Sequence, residues 1–289
     1  MKAPRLFTDP AEWQSRCLAA REQGARQALV PTKGFLHEGH LSLMHEARRR
    51  ADQGGKRGLS LATIFVNPTQ FGPNEDLSRY PRDLPGDLEK CGRAGVDWVL
   101  APEEPDAMFA GDHQTWVTVE RVSQGLCGAS RPGHFRGVAT VVAKLFNLTR
   151  PHVAVFGEKD YQQLAVIRAM ARDLAFGIEI AGMPIVREPD GLALSSRNAF
   201  LSPEERARAL ALSGALAEVR EAAAGGQRDP AQLRARARAR LEAARARIDY
   251  VEIVDPATLT PVARAEPGSV MLLAAFVGTT RLIDNGRLP

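Results

Sequence analysis

The chain has 289 residues, 44% of them hydrophobic and 25% charged, which is typical of a globular protein with one large domain or a large and a small one. The net charge is +4, and Pro203–Ile248 alone has ten arginines against six acidic residues, so the composition predicts no nucleic-acid partner. Three widely spaced cysteines indicate neither a disulfide framework nor a zinc site. We expect a cytoplasmic protein without a membrane partner, because no signal peptide or apolar run long enough to span a bilayer is recognisable.

Short apolar runs alternate with helical patterns through the first two thirds of the chain. Strands are predicted, in chain order, at Ala28–Pro31, Leu59–Val66, Asp97–Leu100 and His152–Phe156, and within Ile178–Val186. Helices are predicted at Glu38–Ala51, Gly86–Ala94, Val138–Leu148 and Tyr161–Leu174. Strands that alternate with helices predict an α/β fold, with a Rossmann-like parallel sheet that carries helices on both faces.

The pattern changes after Val186. Ser202 is a good N-cap and Pro203 suits the first helical position, so a helix is predicted to begin there. Ala- and Arg-rich helices are predicted to continue to about Ala246, with a break at Gly225–Gly226.

Two or three strands are predicted at the end of the chain, around Tyr250–Val254 and Val270–Val277. Helices followed by strands indicate a small α+β arrangement. We therefore expect a Rossmann-like domain at residues 1–185 and a smaller C-terminal α+β domain at residues 186–289.

The segment Pro31–His40 (PTKGFLHEGH) follows the first predicted strand and opens a helix. Its glycines, backbone N–H groups and helix N-terminus are typical of an anion-binding turn. His37 and His40 are three residues apart and share a helix face, so both imidazoles could donate hydrogen bonds to phosphate oxygens. One alternative, a zinc protease, requires H-E-x-x-H instead of H-E-G-H, and the other, a pair of structural histidines, does not require this glycine-rich turn.

Two neutral amides, Asn67 and Gln70, follow the second predicted strand. Ligands bind at the carboxyl ends of strands in open α/β sheets, so these amides could bind hydroxyl and carboxylate groups of a substrate. The alternative is an ordinary turn at Asn67-Pro68.

The segment Gly157–Gln163 (GEKDYQQ) follows the strand predicted at His152–Phe156. Glycine at its start permits close approach of the backbone to a ligand, and Lys159 offers a positive charge for phosphate. Asp160 could accept hydrogen bonds from ribose hydroxyls, and Gln163 is expected to face the same crevice. A solvated turn with an aspartate cap is the alternative.

Two more segments carry polar side chains beside glycine. Asp190–Asn198 (DGLALSSRN) lies at the predicted domain junction, where Ser195, Ser196 and Arg197 could form a lid over phosphates or a plain surface linker. Arg131–Gly137 (RPGHFRG) leads into a helix and could be an anion-facing loop or a subunit contact. The sequence does not separate these interpretations.

Taken together, the motifs closely resemble the pantothenate synthetase family of the HIGH-motif nucleotidyltransferase superfamily. The H-E-G-H turn resembles the HIGH signature of class I aminoacyl-tRNA synthetases and their relatives, and SSRN resembles their KMSKS-type loop. The family's motifs occur here in order as PTxGxLHEGH, FVNPxQF, EDLxxYPRD (Glu75–Asp83), RPGHFRGV, FGEKDYQQ and DGLxxSSRN. They extend from about Leu29 to Asn198, and Ile248–Leu259 fits as well. One position departs from the family, because Lys33 stands where methionine is usual.

The resemblance implies a two-step reaction. ATP and (R)-pantoate would form pantoyl-adenylate and pyrophosphate, and β-alanine would then attack the mixed anhydride to give pantothenate and AMP. The catalytic residues would be His40 as proton donor, with His37 and Lys159 as further donors to the phosphates. ATP would contact Lys33, Gly34, Phe35, Leu36, His37, Glu38, Gly39, His40, Gly157, Glu158, Lys159, Asp160, Val186, Leu194, Ser195, Ser196 and Arg197. Gln70 and Gln163 would hold pantoate, with Gln70 also near β-alanine and Asn67 as another substrate-binding amide.

The family resemblance also implies ATP used as a substrate with Mg²⁺, no organic prosthetic group, and a homodimer; it assigns no residues to the metal. The first domain would bind nucleotide and pantoate, and the second would act as a lid. Two rival functions remain: another nucleotidyltransferase of the superfamily that keeps the nucleotide on its product, and a non-catalytic nucleotide- or RNA-binding module. Free AMP as a product would argue against the first, and absence of tRNA binding at physiological salt against the second.

Overall fold

A computed structural model describes residues 3–55, 57–73 and 75–289 of the chain. These residues form two compact units. The first unit reaches to Ser123 and also contains residues 131–158 and 163–184, and the second contains residues 124–130, 159–162 and 185–289. The sequence placed a boundary after residue 185, but it did not indicate that two short earlier segments belong with the C-terminal part of the chain.

The strands are, in chain order, β1 (Arg5–Phe7), β2 (Gln27–Thr32), β3 (Leu59–Ile64), β4 (Trp98–Leu100), β5 (Val153–Gly157), β6 (Glu179–Met183), β7 (Arg247–Val254), β8 (Val270–Val277) and β9 (Thr280–Arg287). The α-helices are α1 (Pro10–Glu22), α2 (Glu38–Ala51), α3 (Leu84–Arg93), α4 (Leu126–Ser130), α5 (His134–Thr149), α6 (Tyr161–Asp173), α7 (Pro203–Ala224) and α8 (Pro230–Ala243). Some of the candidate site residues lie in short 3₁₀ turns at Pro68–Gln70, Glu158–Asp160 and Ser196–Phe200, which follow β3, β5 and β6.

In the first unit, β1 to β6 form a parallel sheet with the order β1-β4-β3-β2-β5-β6. From β2 the chain moves outward through β3 to β4 and then returns to place β5 on the other side of β2. The strand order therefore reverses between β2 and β5, and the carboxyl ends of these two strands flank the crevice where open α/β sheets bind ligands. His37 follows β2 and Gly157 ends β5, so both motifs begin at this point of the sheet.

Helices cover both faces of this sheet. Val30 of β2 packs with Met44 of α2, while its neighbour Leu29 points to the opposite face and is also fully buried. The helices α1 and α5 pack on each other, and the indole Nε1 of Trp13 donates to Thr149 Oγ1 across their contact (2.9 Å). The α/β fold predicted from the sequence, with a parallel sheet between helices, is confirmed.

The predicted strands and helices of this unit occur within a few residues of their expected limits, but β1 and α1 were not predicted. The helix α1 has a good N-cap, since the Asp9 carboxylate accepts from the backbone N–H groups of Ala11 and Glu12. Its described side chains include only two buried ones, Trp13 and Cys17, so the apolar periodicity that reveals a helix in a sequence is weak here.

The second unit has the predicted α+β character. The strands β7, β8 and β9 form an antiparallel sheet in that order, and α7 and α8 bury an apolar face against it. Ser202 caps α7 through a capping box with Glu205, with Pro203 as its first residue, as predicted. Within the described part of the chain, no helix has the length and apolar character needed to cross a membrane.

Candidate active site

The turn between β2 and α2 carries the two histidines. His37 is the N-cap of α2, and the backbone N–H of Gly39 donates to its Nδ1 (3.2 Å). His40 reaches back, so that its Nδ1 accepts from the backbone N–H of His37 (3.3 Å). The ring centroids lie 4.1 Å apart. The two imidazoles thus form a capping box, a role that serine or threonine and glutamate usually fill.

These hydrogen bonds determine which nitrogen of each ring carries the proton. In a neutral imidazole one nitrogen is a donor and the other an acceptor. Because both Nδ1 atoms accept from backbone N–H groups, the proton of each neutral ring is on Nε2. The turn therefore presents two Nε2–H donors side by side at the N-terminus of a helix, where the helix dipole also favours an anion.

A buried carboxylate, that of Asp87, accepts hydrogen bonds from the backbone of this turn. Asp87 of α3 is 1% exposed and accepts from the backbone N–H groups of Phe35 and Leu36, each at 2.7 Å. Burial raises the pKa of Asp87, and these two N–H bonds act in the opposite direction. Gly34 is required beside it, because a Cβ there would lie 2.9 Å from Asp87 Oδ2 and the φ of +80° is unfavourable for other residues. No motif in the sequence marks Asp87 as part of the site.

Replacing Asp87 with alanine is expected to lower the free energy of unfolding by about 2–4 kcal/mol, because one buried and one partly buried N–H group would lose their acceptor. Urea unfolding measures the change. Glu89→Ala is the matched control on the same helix, since the Glu89 side chain is 75% exposed and should contribute little. Equal stability of the two variants would show that Asp87 does not hold the turn.

The turn after β3 buries both predicted amides. Asn67 is 1% exposed and Gln70 6% exposed. Asn67 Nδ2 donates to Gln70 Oε1 and to the carbonyl of Gly137 (3.2 Å each), while its Oδ1 accepts from Thr69. Asn67 thus directs its side chain to protein groups and orients Gln70. The contact with α5 is tight, because a Cβ at Gly137 would lie 2.4 Å from the Thr69 carbonyl oxygen.

The segment Arg131–Gly137 also faces this turn. His134 Nδ1 lies 2.7 Å from the carbonyl oxygen of Gln70, and Arg131 binds both carboxylate oxygens of Glu75 (2.6 and 2.5 Å). Burial lowers the pKa of His134 to about 3, and the nearby Arg131 guanidinium acts in the same direction. In this segment, His134 and Arg131 contact the Gln70 turn and Glu75, and both interpretations of the segment, an anion-facing loop or a subunit contact, stay predictions.

Lys33, where the resemblance led us to expect methionine, has its side chain beside an aromatic ring. Its Nζ lies 5.4 Å from the centroid of the Tyr80 ring, within the range of a cation–π contact. Tyr80 is in turn edge-on to Phe71, with ring centroids 5.9 Å apart. The lysine side chain therefore contacts the segment that contains Glu75–Asp83.

At the end of β5 the first unit contributes Gly157 and Glu158, and it also contains Gln163 in the first turn of α6. All three residues are partly buried. A Cβ built on Gly157 would meet nothing within 4 Å, so there is open space beside its backbone. This space is compatible with the predicted close approach of a ligand to the backbone.

The next residues along the chain, Lys159 and Asp160, belong to the second unit. Asn285 of β9 donates its Nδ2 to the carbonyl oxygen of Lys159 (3.0 Å). The Tyr161 hydroxyl donates to the carbonyl of Pro256 (3.3 Å) and accepts from Arg287 (3.2 Å). Residues 159–161 are therefore hydrogen-bonded to the C-terminal part of the second unit, and their own sequence does not indicate these contacts.

The second unit also contains the loop with Ser195 and Ser196. The backbone N–H of Leu194 donates to the Val186 carbonyl (3.0 Å), and Ser195 Oγ accepts from the backbone N–H of Arg197 (3.3 Å). Asn198 Nδ2 donates to Glu188 (2.8 Å) and to the Ala193 carbonyl (3.1 Å), which closes the loop on itself. Loop residues Ser195, Ser196 and Arg197 are partly buried.

The structure thus brings the predicted residues together in two sets. The first unit contains Lys33–His40, Asn67, Gln70, Gly157, Glu158 and Gln163, and the second contains Lys159, Asp160, Val186 and Leu194–Arg197. Asp87, Glu75, Arg131 and His134 support the first set, and sequence reasoning assigned them no such role. Glu75, Arg131 and His134 lie in motifs to which no chemistry was assigned, whereas Asp87 lies outside the motifs. Among the described residues, no group of three or more histidine, cysteine or acidic side chains is arranged to hold a metal ion.

Comparison with known proteins gives a consistent result. The family model described as pantoate-β-alanine ligase matches residues 5–287. A curated relative from Anaeromyxobacter dehalogenans, named pantothenate synthetase, is 79% identical over 289 residues, which is 100% of both chains. The crystal structure of pantothenate synthetase from Thermus thermophilus superposes with a TM-score of 0.90 at 44% identity, covering 99% of this chain and 100% of that one. A pantoate-β-alanine ligase from Francisella tularensis, complexed with β-γ ATP and β-alanine, has a TM-score of 0.80 at 29% identity and covers 99% and 98%.

Proposed function

Because this chain belongs to the pantoate-β-alanine ligase family, we propose that it makes pantothenate in two steps through a pantoyl-adenylate. In the first step a carboxylate oxygen of (R)-pantoate attacks the α-phosphate of ATP and pyrophosphate leaves. In the second step the amine of β-alanine attacks the acyl carbon, an amide bond forms and AMP leaves. No covalent enzyme intermediate is needed.

The observation that carries this proposal is the pair of Nε2–H donors at the carboxyl end of β2. Adenylation places negative charge on the α-phosphate and on the departing pyrophosphate, and fixed donors at that position lower the barrier. Hydrogen-bond donation by His37 and His40 suffices, because pyrophosphate is a good leaving group. Lys159 adds a positive charge on the segment that follows β5.

The proposed ATP ligands are Lys33–His40, Gly157–Asp160, Val186 and Leu194–Arg197. Support comes from the open space beside Gly157, from the helix N-terminus at His37, and from the ATP analogue named in the Francisella complex. Mg²⁺ is proposed to enter bound to ATP, since this ion is commonly held by substrate phosphates with few protein ligands.

The proposed pantoate ligands are Gln70 and Gln163, with Gln70 also close to β-alanine. The orientation of the Gln70 amide supports this role: its Oε1 accepts from Asn67, so its Nε2 is a donor on the opposite side. Asn67 was predicted to bind substrate, and its contacts suit orienting Gln70. The proposal also includes a lid role for residues 186–289, a homodimer, a cytoplasmic location and no organic prosthetic group.

Isotope exchange tests the proposal directly. Labelled pyrophosphate is expected to exchange into ATP only when pantoate is present, because the adenylate must form and reverse. AMP and pantothenate should accumulate once β-alanine is added. Exchange without pantoate, or no exchange with it, would contradict the adenylate pathway.

A further inference from the structure

Two motifs, EDLxxYPRD and RPGHFRG, have no role in the chemistry proposed above, yet their side chains meet at the Gln70 turn. We infer that Glu75, Arg131 and His134 are positioning residues, which hold this turn in one conformation and so determine how Gln70 receives the acid substrate. The inference rests on the proposed role of Gln70 as a pantoate ligand. None of the three residues is required to touch the substrate.

The first link is the backbone carbonyl of Gln70. A carbonyl oxygen only accepts hydrogen bonds, so His134 Nδ1, 2.7 Å away, must be the donor. The Nε2 of a neutral His134 ring is then an acceptor, and Arg131 Nη1 lies 3.0 Å from it. Arg131 Nη2 donates to the same carbonyl at 3.3 Å. The imidazole is therefore held in one tautomer and one orientation, with the Gln70 carbonyl as its target.

The second link is the ion pair that orients the arginine. Both carboxylate oxygens of Glu75 accept from Arg131, and the two side chains are only 23% and 14% exposed. Burial by itself would raise the pKa of Glu75, but the hydrogen bonds and charge of Arg131 outweigh it and keep the pKa below its usual value. A bidentate ion pair fixes the plane of the guanidinium, which a single hydrogen bond would not do.

The third link is the packing under the turn. Asn67 Nδ2 bridges the Gln70 side chain and the Gly137 carbonyl, so the amide of Gln70 is held as well as its backbone. Gly137 lets α5 approach so closely that a Cβ there would lie 2.8 Å from the Gln70 Cα. The turn is therefore held at the Gln70 carbonyl, at the Gln70 side chain and by packing against Gly137. Because the last two contacts remain when the ion pair of Arg131 with Glu75 is weakened, we expect the Gln70 amide to move and the chain to stay folded.

Glu75→Gln tests the arginine link, since it removes the charge and keeps the size. The KM for pantoate in pyrophosphate exchange is expected to rise about tenfold, because a ligand displaced by a fraction of an ångström binds the acid less well, while the KM for ATP stays within about twofold. The matched control is Glu46→Gln, which breaks a similarly buried ion pair with Arg50 (side chains 12% and 20% exposed). The control should leave the pantoate KM unchanged.

His134 provides a conservative rescue. His134→Asn can place an amide N–H near the Nδ1 position and keep the bond to the Gln70 carbonyl, whereas His134→Ala removes it. The pantoate KM is expected to rise less for asparagine than for alanine. If thermal unfolding shows that His134→Ala does not fold, the pantoate KM values of Glu75→Gln and His134→Asn test the positioning role instead.

Each outcome has a separate meaning. An unchanged pantoate KM in Glu75→Gln and in the folded His134 variants, with a normal wild-type enzyme, would overturn the positioning role alone. Equal increases in the KM for pantoate and for ATP would also overturn it, because they indicate a general structural effect. A wild-type protein without pantoate-dependent exchange would instead remove the proposed function.

Discussion

Replacing His37 with asparagine is expected to slow pantoate-dependent pyrophosphate exchange by about 10²-fold or more, with little change in stability. Asparagine is among the best N-cap residues, so it can take over the bond from the Gly39 N–H that His37 Nδ1 now accepts. It does not reproduce the Nε2–H donor that the imidazole is proposed to direct at a phosphate oxygen. The variant therefore separates the capping role of His37 from its proposed catalytic role. Exchange rates and thermal unfolding of the same preparation measure the two effects.

His45→Asn is the control for this experiment. His45 lies on the same helix and is exposed, so the identical change of side chain should leave the exchange rate unaltered. If His37→Asn exchanged pyrophosphate at nearly the wild-type rate, His37 would be only a helix cap and the proposed donor pair would be reduced to His40.

Replacing Gly137 with alanine is expected to destabilise the protein by about 3 kcal/mol and to lower exchange activity at least tenfold. The added Cβ would lie 2.4 Å from the Thr69 carbonyl oxygen and 2.6 Å from its carbon. Both are backbone atoms, so a side-chain rotation cannot relieve the overlap, and either α5 or the turn that carries Gln70 must move. Because that turn is the proposed pantoate site, the loss of activity should appear mainly as a higher pantoate KM.

Gly111→Ala is the matched control for Gly137→Ala. A Cβ at Gly111 meets nothing within 4 Å, so the same addition of one methyl group should be nearly neutral. Urea unfolding and the exchange assay are applied to both variants. Wild-type stability and wild-type pantoate KM in Gly137→Ala would contradict this prediction. They would show that α5 and the Gln70 turn can move apart at little cost in free energy, and that their contact does not constrain the site.

Most of the secondary structure is predictable from the sequence because the relevant signals are local. Strand β2 and helix α2 are visible as an apolar run followed by an amphipathic pattern, and Ser202 begins α7 as predicted. The helix α1 was missed because it buries little of its surface and so has weak periodicity.

The candidate site shows the limit of the same reasoning. The turn at Pro31–His40 could be predicted as an anion site because glycines and histidines after a strand have a direct chemical meaning. Asp87 could not be recognised, since it reaches the turn from a helix some fifty residues further along the chain, and only the fold brings its carboxylate to Phe35 and Leu36. Lys159 was expected at the end of β5. The hydrogen bond from Asn285 to its backbone carbonyl could not be expected, because Asn285 lies on a strand more than a hundred residues away.

The sequence alone determined the fold class and family of this protein, because strand and helix periodicity and motif spacing are properties of neighbouring residues. It also predicted which residue types would face an anion. The tertiary structure decided which atom of each residue meets which protein group. Both Nδ1 atoms of the histidine pair are occupied by backbone N–H groups, and the ion pair of Glu75 with Arg131 is directed at the Gln70 turn. The physical reason is that a hydrogen bond depends on distance and direction between groups, and residues distant in sequence acquire both only when the chain has folded.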